Sequence, residues 1–250
     1  MLKIEAAKLK NILEGMKSKT SMVIGDIMLA HYIWGKVDRI SPEAPVPVVN
    51  VQEERFKLGG AGNVANNLLG LGARVFIAGV RGNDPEGTIL LDILKEWNIP
   101  THQILTAPDK GTIVKTRIIA HTQQVARIDR EDKSFISADL RAKLISSLRD
   151  SIDDIDAIII SDYAKGVVSR ELIEEIIPVA KNKGVLVCVD PKERNFSFYN
   201  QVNVITPNTK ELSFGAGIKI EQEQDIINAA HKVKSMLACD IVLVTRGEHG

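Results

Sequence analysis

A glycine-rich run at residues 59 to 63, Gly-Gly-Ala-Gly-Asn, is the part of this chain whose composition points most directly to ligand binding. Three glycines let the main chain pass close to a ligand without side-chain obstruction. A strand-like stretch ends near Arg55 and a helix-like stretch covers residues 64 to 69, so the unpaired N–H groups of a helix start would face the ligand. The pattern predicts a site for a polar small molecule, and a tight turn that only caps the helix is the alternative.

Further polar residues follow the apolar runs of the chain directly, at five successive predicted strand ends. These residues are Asp26, Asp162, Asp190, Asn208 and Arg246. Because ligands of open parallel sheets collect at the carboxyl ends of the strands, we expect these side chains to border one cleft. Lys165 and Lys192 lie close by in the sequence. Carboxylates, an amide and ammonium groups together suit a substrate that carries phosphate and a metal ion, whereas polar loops alone are the alternative.

The elements that must position these residues alternate from residue 74 onward. Amphipathic stretches separate short apolar runs, which span residues 75–80, 157–160, 185–189, 202–205 and 241–244. Helices are expected to begin at Asp84 and near Ser169, and to span residues 222 to 237. Apolar runs of this kind are typical of strands covered on both faces, so the pattern predicts an α/β sandwich with a mostly parallel sheet between helices.

Two stretches interrupt this alternation. Residues 32 to 55 contain Pro42, Pro45 and Pro47 among valines, and residues 112 to 129 alternate apolar and polar side chains. A period of two is typical of strands with one wet face, and prolines are tolerated at a sheet edge. We therefore expect a small separate sheet beside the glycine run, where it would act as a lid.

The bulk composition excludes several classes of partner. With 32 basic and 32 acidic residues among 250, the chain has no global field that attracts nucleic acid or an anionic membrane, so neither is an expected partner. Cys188 and Cys239 lie in or beside apolar runs and are expected in the core. Residues 1 to 20 carry five lysines and are expected to form a surface helix rather than an export signal. These features fit a cytoplasmic protein.

Two common nucleotide-binding patterns fit poorly. The Gly-Lys-Ser/Thr ending of a Walker A loop is absent. Residues 60 to 65 match a dinucleotide fingerprint with Ala at its last place, but residues 53 to 57 are too polar for a buried first strand. The next strand ends at Val80-Arg81 instead of at an acid that would bind a ribose, so a nicotinamide enzyme is disfavoured.

Longer strings resemble a known family. Residues 59 to 65, with Gly72 and Gly82 downstream, resemble the N-terminal signature of the ribokinase-like, or PfkB, sugar kinases. Narrower matches look like the heptose 7-phosphate kinase domain of the bacterial ADP-heptose pathway. They are residues 39–48 (RISPEAPVPV), Gln123-Gln124 with Arg127 and Asp129, and residues 161–166 (SDYAKG). The resemblance extends from about Ser21 to Gly250.

This resemblance implies a ribokinase-like three-layer sandwich with a mostly parallel central sheet and a small β-lid, made by segments at about 32–58 and 110–130. It implies one kinase domain over residues 1–250 that is incomplete at its C-terminus. The implied activity is ATP-dependent phosphorylation of D-glycero-β-D-manno-heptose 7-phosphate at the anomeric hydroxyl, with Mg²⁺, for lipopolysaccharide core synthesis. It also implies a homodimer through the β-lid.

The resemblance also implies roles for individual residues. Gly59, Gly60 and Asn63 would hold sugar hydroxyls, with Asp26 beside them. Apart from the resemblance, Arg117, Lys165 and Lys192 are candidates for contacts with phosphate, because they are cations near the expected cleft. The segment at residues 206–211 and the loop at residues 245–250 would bind the nucleotide, through Asn208, Thr209, Lys210, Glu211, Thr245, Gly247 and Gly250. Glu211 would hold Mg²⁺ through water.

Two positions depart from the family pattern. Ala30 stands where members usually carry an Asp that grips sugar hydroxyls, which predicts weaker binding or a changed sugar. The Gly-Ala-Gly-Asp segment that supplies the family's catalytic base is absent from these 250 residues, so we expect the chain alone to be inactive. A noncatalytic sugar-phosphate or nucleotide binding protein, and a PfkB kinase for another sugar, remain alternatives. A nucleotidyltransferase domain could follow in a longer chain.

Overall fold

A computed structural model describes residues 4–249 of the chain, so the predicted nucleotide-binding residue Gly250 lies outside the described residues. Eleven strands are present in this part. They are β1 Thr20–Gly25, β2 Ile27–Ile40, β3 Pro47–Gly60, β4 Arg74–Gly82, β5 Ile104–Ala107, β6 Ile113–Ala120, β7 Gln123–Arg130, β8 Ala157–Ser161, β9 Leu186–Asp190, β10 Val204–Ile205 and β11 Ile241–Val242. The α-helices of the described residues are α1 Ala6–Met16, α2 Ala61–Gly70, α3 Pro85–Glu96, α4 Ala138–Ser151, α5 Arg170–Asn182, α6 Thr209–Ala216 and α7 Glu223–Leu237.

Seven strands form the central sheet, in the order β11-β10-β9-β8-β1-β4-β5, and every neighbouring pair is parallel. The side chains of β1 alternate between two buried clusters. Met22 and Ile24 pack with α4 and α5, whereas Val23 packs with α2 and α3 on the opposite face. Since both faces of the sheet carry helices, the expected three-layer α/β sandwich is confirmed.

The helices begin where their capping residues predict. Asp84 accepts a hydrogen bond from the Gly87 N–H at 2.8 Å, with Pro85 in the first helical position of α3. Ser169 caps α5 in the same way. The helix α2 begins at Ala61, directly after the glycine pair, and not at residue 64, because β3 continues to Gly60 instead of ending near Arg55.

The lid is a second sheet of four strands in the order β3-β2-β6-β7. Strands β2 and β3 pair antiparallel, β2 and β6 parallel, and β6 and β7 antiparallel. Its strands lie largely within residues 32–58 and 110–130, although β2 already begins at Ile27 because it continues from β1 after a single residue. Strand β3, which begins at Pro47, is an edge strand, a position that tolerates proline, and Pro42 and Pro45 precede it in the chain.

One strip of the central sheet has apolar side chains that are only partly buried. Register places Ile159, Cys188, Val204 and Ile241 on the same face as Val23. Cys188 is half-buried and Ile241 is 54% exposed, whereas Val23 is fully buried beneath α2 and α3.

Among residues 4–249, no helix is long and apolar enough to cross a membrane. The helix α1 buries none of its side chains, as expected for a surface helix.

Candidate active site

The glycine pair at the end of β3 lies close to the main chain of Asp26, the residue that follows β1. Gly60 has a φ of +57°, a conformation that side chains disfavour, and a Cβ there would lie 2.2 Å from the carbonyl oxygen of Asp26. The next residue, Ala61, donates its N–H to the same carbonyl at 3.1 Å. The turn therefore joins β1 to the start of α2, and only glycine fits at position 60.

Asp26 follows β1 and is completely buried. Its Oδ2 accepts the N–H groups of Tyr163 and Lys165, each at 3.0 Å, and its Oδ1 accepts the N–H of Val167 at 3.1 Å. Burial, together with the charge of nearby Asp162, raises the pKa of Asp26 to about 6. Both oxygens thus hold the loop after β8, and contact of Asp26 with a substrate stays a prediction.

A cavity of about 410 Å³ lies where the lid meets the loops after β8 and β9. All four lid strands and both loops contribute to it. Its lining residues are Met28, Leu29, Ala30, Gly59, Gly60, Lys115, Arg117, Arg127, Tyr163, Lys165 and Lys192. The structure thus brings together five of the residues predicted to bind substrate: Gly59, Gly60, Arg117, Lys165 and Lys192. Asn63 is exposed on the first turn of α2 and does not line this cavity.

The charged side chains that line the cavity are all cations. Two of them, Arg117 on β6 and Arg127 on β7, are directly opposite each other in the antiparallel register. Like charges at such positions destabilise a sheet unless an opposite charge lies near them. Arg127 donates to Asp129 at 2.8 and 2.9 Å. No carboxylate within residues 4–249 is an ion-pair partner of Arg117, whose guanidinium lies 5.4 Å from the ring centre of Tyr32.

Glu131 anchors two other cations of the cavity. Its Oε1 accepts a hydrogen bond from Lys165 Nζ at 2.6 Å and its Oε2 accepts one from Lys115 Nζ at 2.9 Å. Burial alone would raise the pKa of Glu131, but these two hydrogen bonds outweigh it and hold the pKa at about 2. Glu131 therefore stays ionised and fixes both ammonium groups at the wall of the cavity.

Glu211 lies in the first turn of α6 and is buried. It forms a capping box with Asn208: the Glu211 N–H donates to Asn208 Oδ1 at 2.9 Å, and the Asn208 N–H donates to Glu211 Oε2 at 3.0 Å. The second oxygen, Oε1, accepts a hydrogen bond from Lys192 Nζ. Because Lys192 also lines the cavity, this ion pair connects the predicted metal ligand to the predicted phosphate site.

The remaining residues predicted to bind nucleotide lie near α6. Thr245 and Asn208 face each other in a parallel β-bridge, and the Thr245 N–H donates to the Pro207 carbonyl at 3.0 Å. Thr209 is half-buried, and Lys210 is exposed with an ion pair to Glu193 at 3.3 Å. Gly247 begins a short 3₁₀ turn with a φ of +59°. The two predicted nucleotide segments are thus adjacent in space.

A sequence model described as pfkB family carbohydrate kinase matches residues 18–250. The chain belongs to the pfkB family of carbohydrate kinases. This match covers both sheets and every residue of the cavity, so the family assignment includes the whole candidate site. Of the helices and strands in the described part of the chain, α1 alone lies outside the matched residues.

Relatives within the pfkB family are similar over most of this chain. The bifunctional protein HldE of Helicobacter pylori (strain P12) is 44% identical over 232 residues, which are 93% of this chain and 50% of that protein. The bifunctional protein HldE of Geobacter sulfurreducens (strain ATCC 51573 / DSM 12127 / PCA) is 41% identical over 230 residues, 92% of this chain and 47% of that protein. The chain spans about half the length of the curated relatives it matches.

Solved structures share the pfkB fold at low identity. The tetrameric inhibited form of phosphofructokinase-2 from Escherichia coli superimposes with a TM-score of 0.72 at 20% identity, covering 93% of this chain and 75% of that one. A carbohydrate kinase from Agrobacterium tumefaciens superimposes with a TM-score of 0.66 at 17% identity, covering 92% of this chain and 70% of that one. At this identity the likeness supports the three-layer fold with its lid, and not the substrate.

Kinases of the pfkB family use ATP with a divalent metal ion, and the chemistry of two carboxylates here fits such an ion. Asp190 ends β9, and burial followed by the charge of Glu211 raises its pKa. Within the described residues no hydrogen bond reaches the Asp190 carboxylate, and no group of three metal ligands exists. Mg²⁺ commonly takes one or two carboxylates and completes its shell with water and nucleotide phosphates. Glu211 and Asp190 would hold the ion in that way.

Four residues of this pfkB site escaped the sequence-based prediction of site residues. Lys115, Arg127 and Tyr163 line the cavity, and Glu131 holds two of its lysines. A signal for one of them existed, because Lys115 and Arg117 are two residues apart on a predicted strand and must therefore share a face. Arg127 needed the register of β6 against β7, which the sequence does not state.

Proposed function

We propose that this chain is a sugar-phosphate kinase, which transfers the γ-phosphoryl group of ATP to the anomeric hydroxyl of D-glycero-β-D-manno-heptose 7-phosphate. The observation that carries the proposal is the cavity in which Arg117 and Arg127 face each other beside Lys115, Lys165 and Lys192. Four of these cations are already paired with carboxylates, whereas Arg117 has no ion-pair partner among residues 4–249. An unphosphorylated sugar has no charge that would match Arg117. A sugar that already carries a phosphate, remote from the hydroxyl that reacts, supplies the negative charge.

The glycine turn supports the sugar end of this proposal. Gly59 and Gly60 line the same cavity as the cations, so a ligand whose phosphate contacts the arginines has main chain within reach for its hydroxyl groups. Asn63 follows on the first turn of α2, and we propose that it contributes an amide once the lid is closed. Closure would also exclude water that competes as phosphoryl acceptor.

The nucleotide end rests on the adjacency of α6 and the loop at residues 245–247. Asn208, Thr209 and Lys210 lie at the N-terminus of α6, where backbone N–H groups favour phosphate oxygens. Glu211 and Asp190 would hold Mg²⁺ between the nucleotide phosphates and the protein. Thr245 and Gly247 would line the nucleotide, and the role predicted for Gly250 stays a prediction outside the described residues.

The general base of this reaction is not assigned to any carboxylate described above. Asp26 and Asp162 are buried and hydrogen-bonded, and the resemblance assigns the base to a Gly-Ala-Gly-Asp string that residues 1–250 do not contain. We therefore expect residues 1–250 alone to bind sugar phosphate and nucleotide with little turnover. Binding and turnover are consequently separate tests.

A kinase for a different sugar phosphate is the second candidate, and Ala30 favours it. Ala30 lines the cavity at the position where an acid would reach sugar hydroxyls, and a methyl group accepts no hydrogen bond. Both candidates share the phosphate-binding cations. They differ in the sugar hydroxyl groups beside Ala30.

We also propose that two copies associate through their lids. The edge strand β7 is exposed along all eight residues and presents unpaired backbone groups. It also exposes Val125 and Ile128, at 43% and 57%. Light scattering during gel filtration would give a dimer mass for the wild-type protein and a monomer mass for Ile128→Lys; a wild-type monomer would refute the pairing.

The test of the kinase is an ADP-release assay on the full gene product with heptose 7-phosphate and fructose 6-phosphate as acceptors. Calorimetry with heptose 7-phosphate on residues 1–250 tests binding separately. Arg117→Met or Arg127→Met should weaken binding by about tenfold or more, the value of a charge-assisted hydrogen bond. Lys36→Met, which changes an exposed lysine of β2 outside the cavity, is the matched control. Turnover only with fructose 6-phosphate would favour the second candidate, and equal affinity in all variants would refute both.

A further inference from the structure

Lys192 lies between two sites that would both attract it. Its Nζ donates to Glu211 Oε1, while its side chain lines the cavity together with Arg117 and Lys165. The Lys192 side chain is 37% exposed, whereas the Glu211 side chain is 5% exposed. The lysine is thus the less confined member of the ion pair, and it already borders the space in which a phosphate would bind.

Glu211 is held in place independently of Lys192. Its second oxygen accepts the Asn208 N–H, and its own N–H donates to the Asn208 side chain, so the capping box fixes the carboxylate at the start of α6. If the ion pair separates, the glutamate stays and the lysine moves. A four-carbon stem with three rotatable donors allows such movement at low cost.

Lys165, another lysine of the cavity, differs in this respect. Lys165 is paired with Glu131, which also forms ion pairs with Lys115 and Lys133. Lys165 is only 13% exposed, and no predicted metal ligand contacts it. A metal ion that binds Glu211 would therefore release Lys192 and leave Lys165 unchanged.

We propose that Lys192 is shared between Glu211 and the phosphate of the substrate. Its ammonium group would pair with Glu211 in the absence of metal and with the phosphate when a divalent cation is bound to Glu211. This inference rests on the proposed function and adds a regulation to that site. Binding of the metal and binding of the sugar phosphate then strengthen each other, because the coupling free energy between two sites is reciprocal. The lysine contributes to substrate affinity only after the metal has replaced it on Glu211.

The test is a double-mutant cycle measured by calorimetry with heptose 7-phosphate, in EDTA and without nucleotide. Glu211→Gln should bind the sugar phosphate about fivefold more tightly than the wild type, since Lys192 no longer forms its ion pair with Glu211. A glutamine still accepts the N-cap hydrogen bond, so α6 is kept. Glu211→Gln combined with Lys192→Met should return to the wild-type affinity, and Lys192→Met alone should change the metal-free affinity by less than about twofold.

A second arm adds Mg²⁺ with a non-hydrolysable ATP analogue. The wild type should then gain about fivefold in sugar-phosphate affinity, Lys192→Met should gain nothing, and the control Lys165→Met should bind more weakly but keep the gain. An unchanged or weaker affinity of folded Glu211→Gln in EDTA, or a full gain in Lys192→Met, would overturn the shared lysine while wild-type binding upholds the substrate. No wild-type binding of heptose 7-phosphate under either condition would overturn the proposed function itself.

Discussion

Replacing Asp26 with asparagine removes the charge of a fully buried carboxyl group that holds three backbone N–H groups of the loop at residues 163–167. Burial raises the pKa of Asp26 from 3.8 to about 6 in the folded protein. A raised pKa means that the folded state binds the proton more tightly than the unfolded state. The stability that Asp26 contributes is therefore fully present below pH 3.8 and is lost as the pH rises through 6.

The size of the effect follows from these two pKa values. The full loss corresponds to about 3 kcal/mol in the free energy of unfolding, at about 1.4 kcal/mol for each pH unit between the two values. About 1.4 kcal/mol of this loss falls between pH 5 and pH 7.5. Asp129 and Glu131 have lowered pKa values of about 2, so their contributions change below this window.

The assay is urea denaturation of both proteins at half-unit steps from pH 5 to pH 7.5. Between these limits the wild type should lose about 1.4 kcal/mol more stability than Asp26→Asn, because asparagine does not titrate. Asparagine also turns one donor toward a backbone N–H, which lowers the stability of the variant by a similar amount at every pH. Asp92→Asn on the exposed face of α3 is the control and should follow the wild type. Parallel pH profiles for wild type and Asp26→Asn would refute this account of Asp26.

Three further changes test other parts of the site. Gly60→Ala should lower the free energy of unfolding by roughly 2 to 4 kcal/mol, because of the positive φ and the clash with the Asp26 carbonyl, whereas Gly70→Ala, in open space, should be neutral or stabilising in the same urea titration. Glu131→Gln should be less stable than wild type at pH 7, and since the pKa of Glu131 is lowered, the difference should shrink as the pH falls from 4.5 toward 2 in denaturation curves. Asn208→Ala should lose about 1 kcal/mol in thermal unfolding and Asn208→Ser much less, and equal losses would contradict the cap.

The fold was largely predictable because its signals are local. Apolar runs such as residues 157–160 mark buried parallel strands, and Asp84 before Pro85 marks a helix start. Helix α4 was missed because its buried side chains, including Leu140 and Leu144, stand among charged and serine residues that lower its average hydrophobicity. The short β5 is four residues long, too short for a periodic pattern.

The site was predictable only in part because its geometry depends on register. The position of Arg127 follows from the pairing of β7 with β6, where it lies opposite Arg117. Asp26 follows a strand, as a binding residue would, yet three backbone donors from a loop more than 130 residues away surround it. Only tertiary structure reveals such a contact. The capping role of Glu211, by contrast, can be predicted from the sequence, because Glu211 follows Asn208 by three residues as in a capping box.

The most direct test of the central claim is to titrate the wild-type chain with D-glycero-D-manno-heptose 7-phosphate and with the same heptose without its phosphate, by calorimetry at low salt. If the cations of the cavity bind the phosphate, the phosphorylated sugar should bind about 100-fold more tightly, equivalent to about 3 kcal/mol from two charge-assisted hydrogen bonds, and added salt should weaken it. Equal affinity for the two sugars, or binding that salt leaves unchanged, would contradict the claim that this cavity recognises a sugar phosphate.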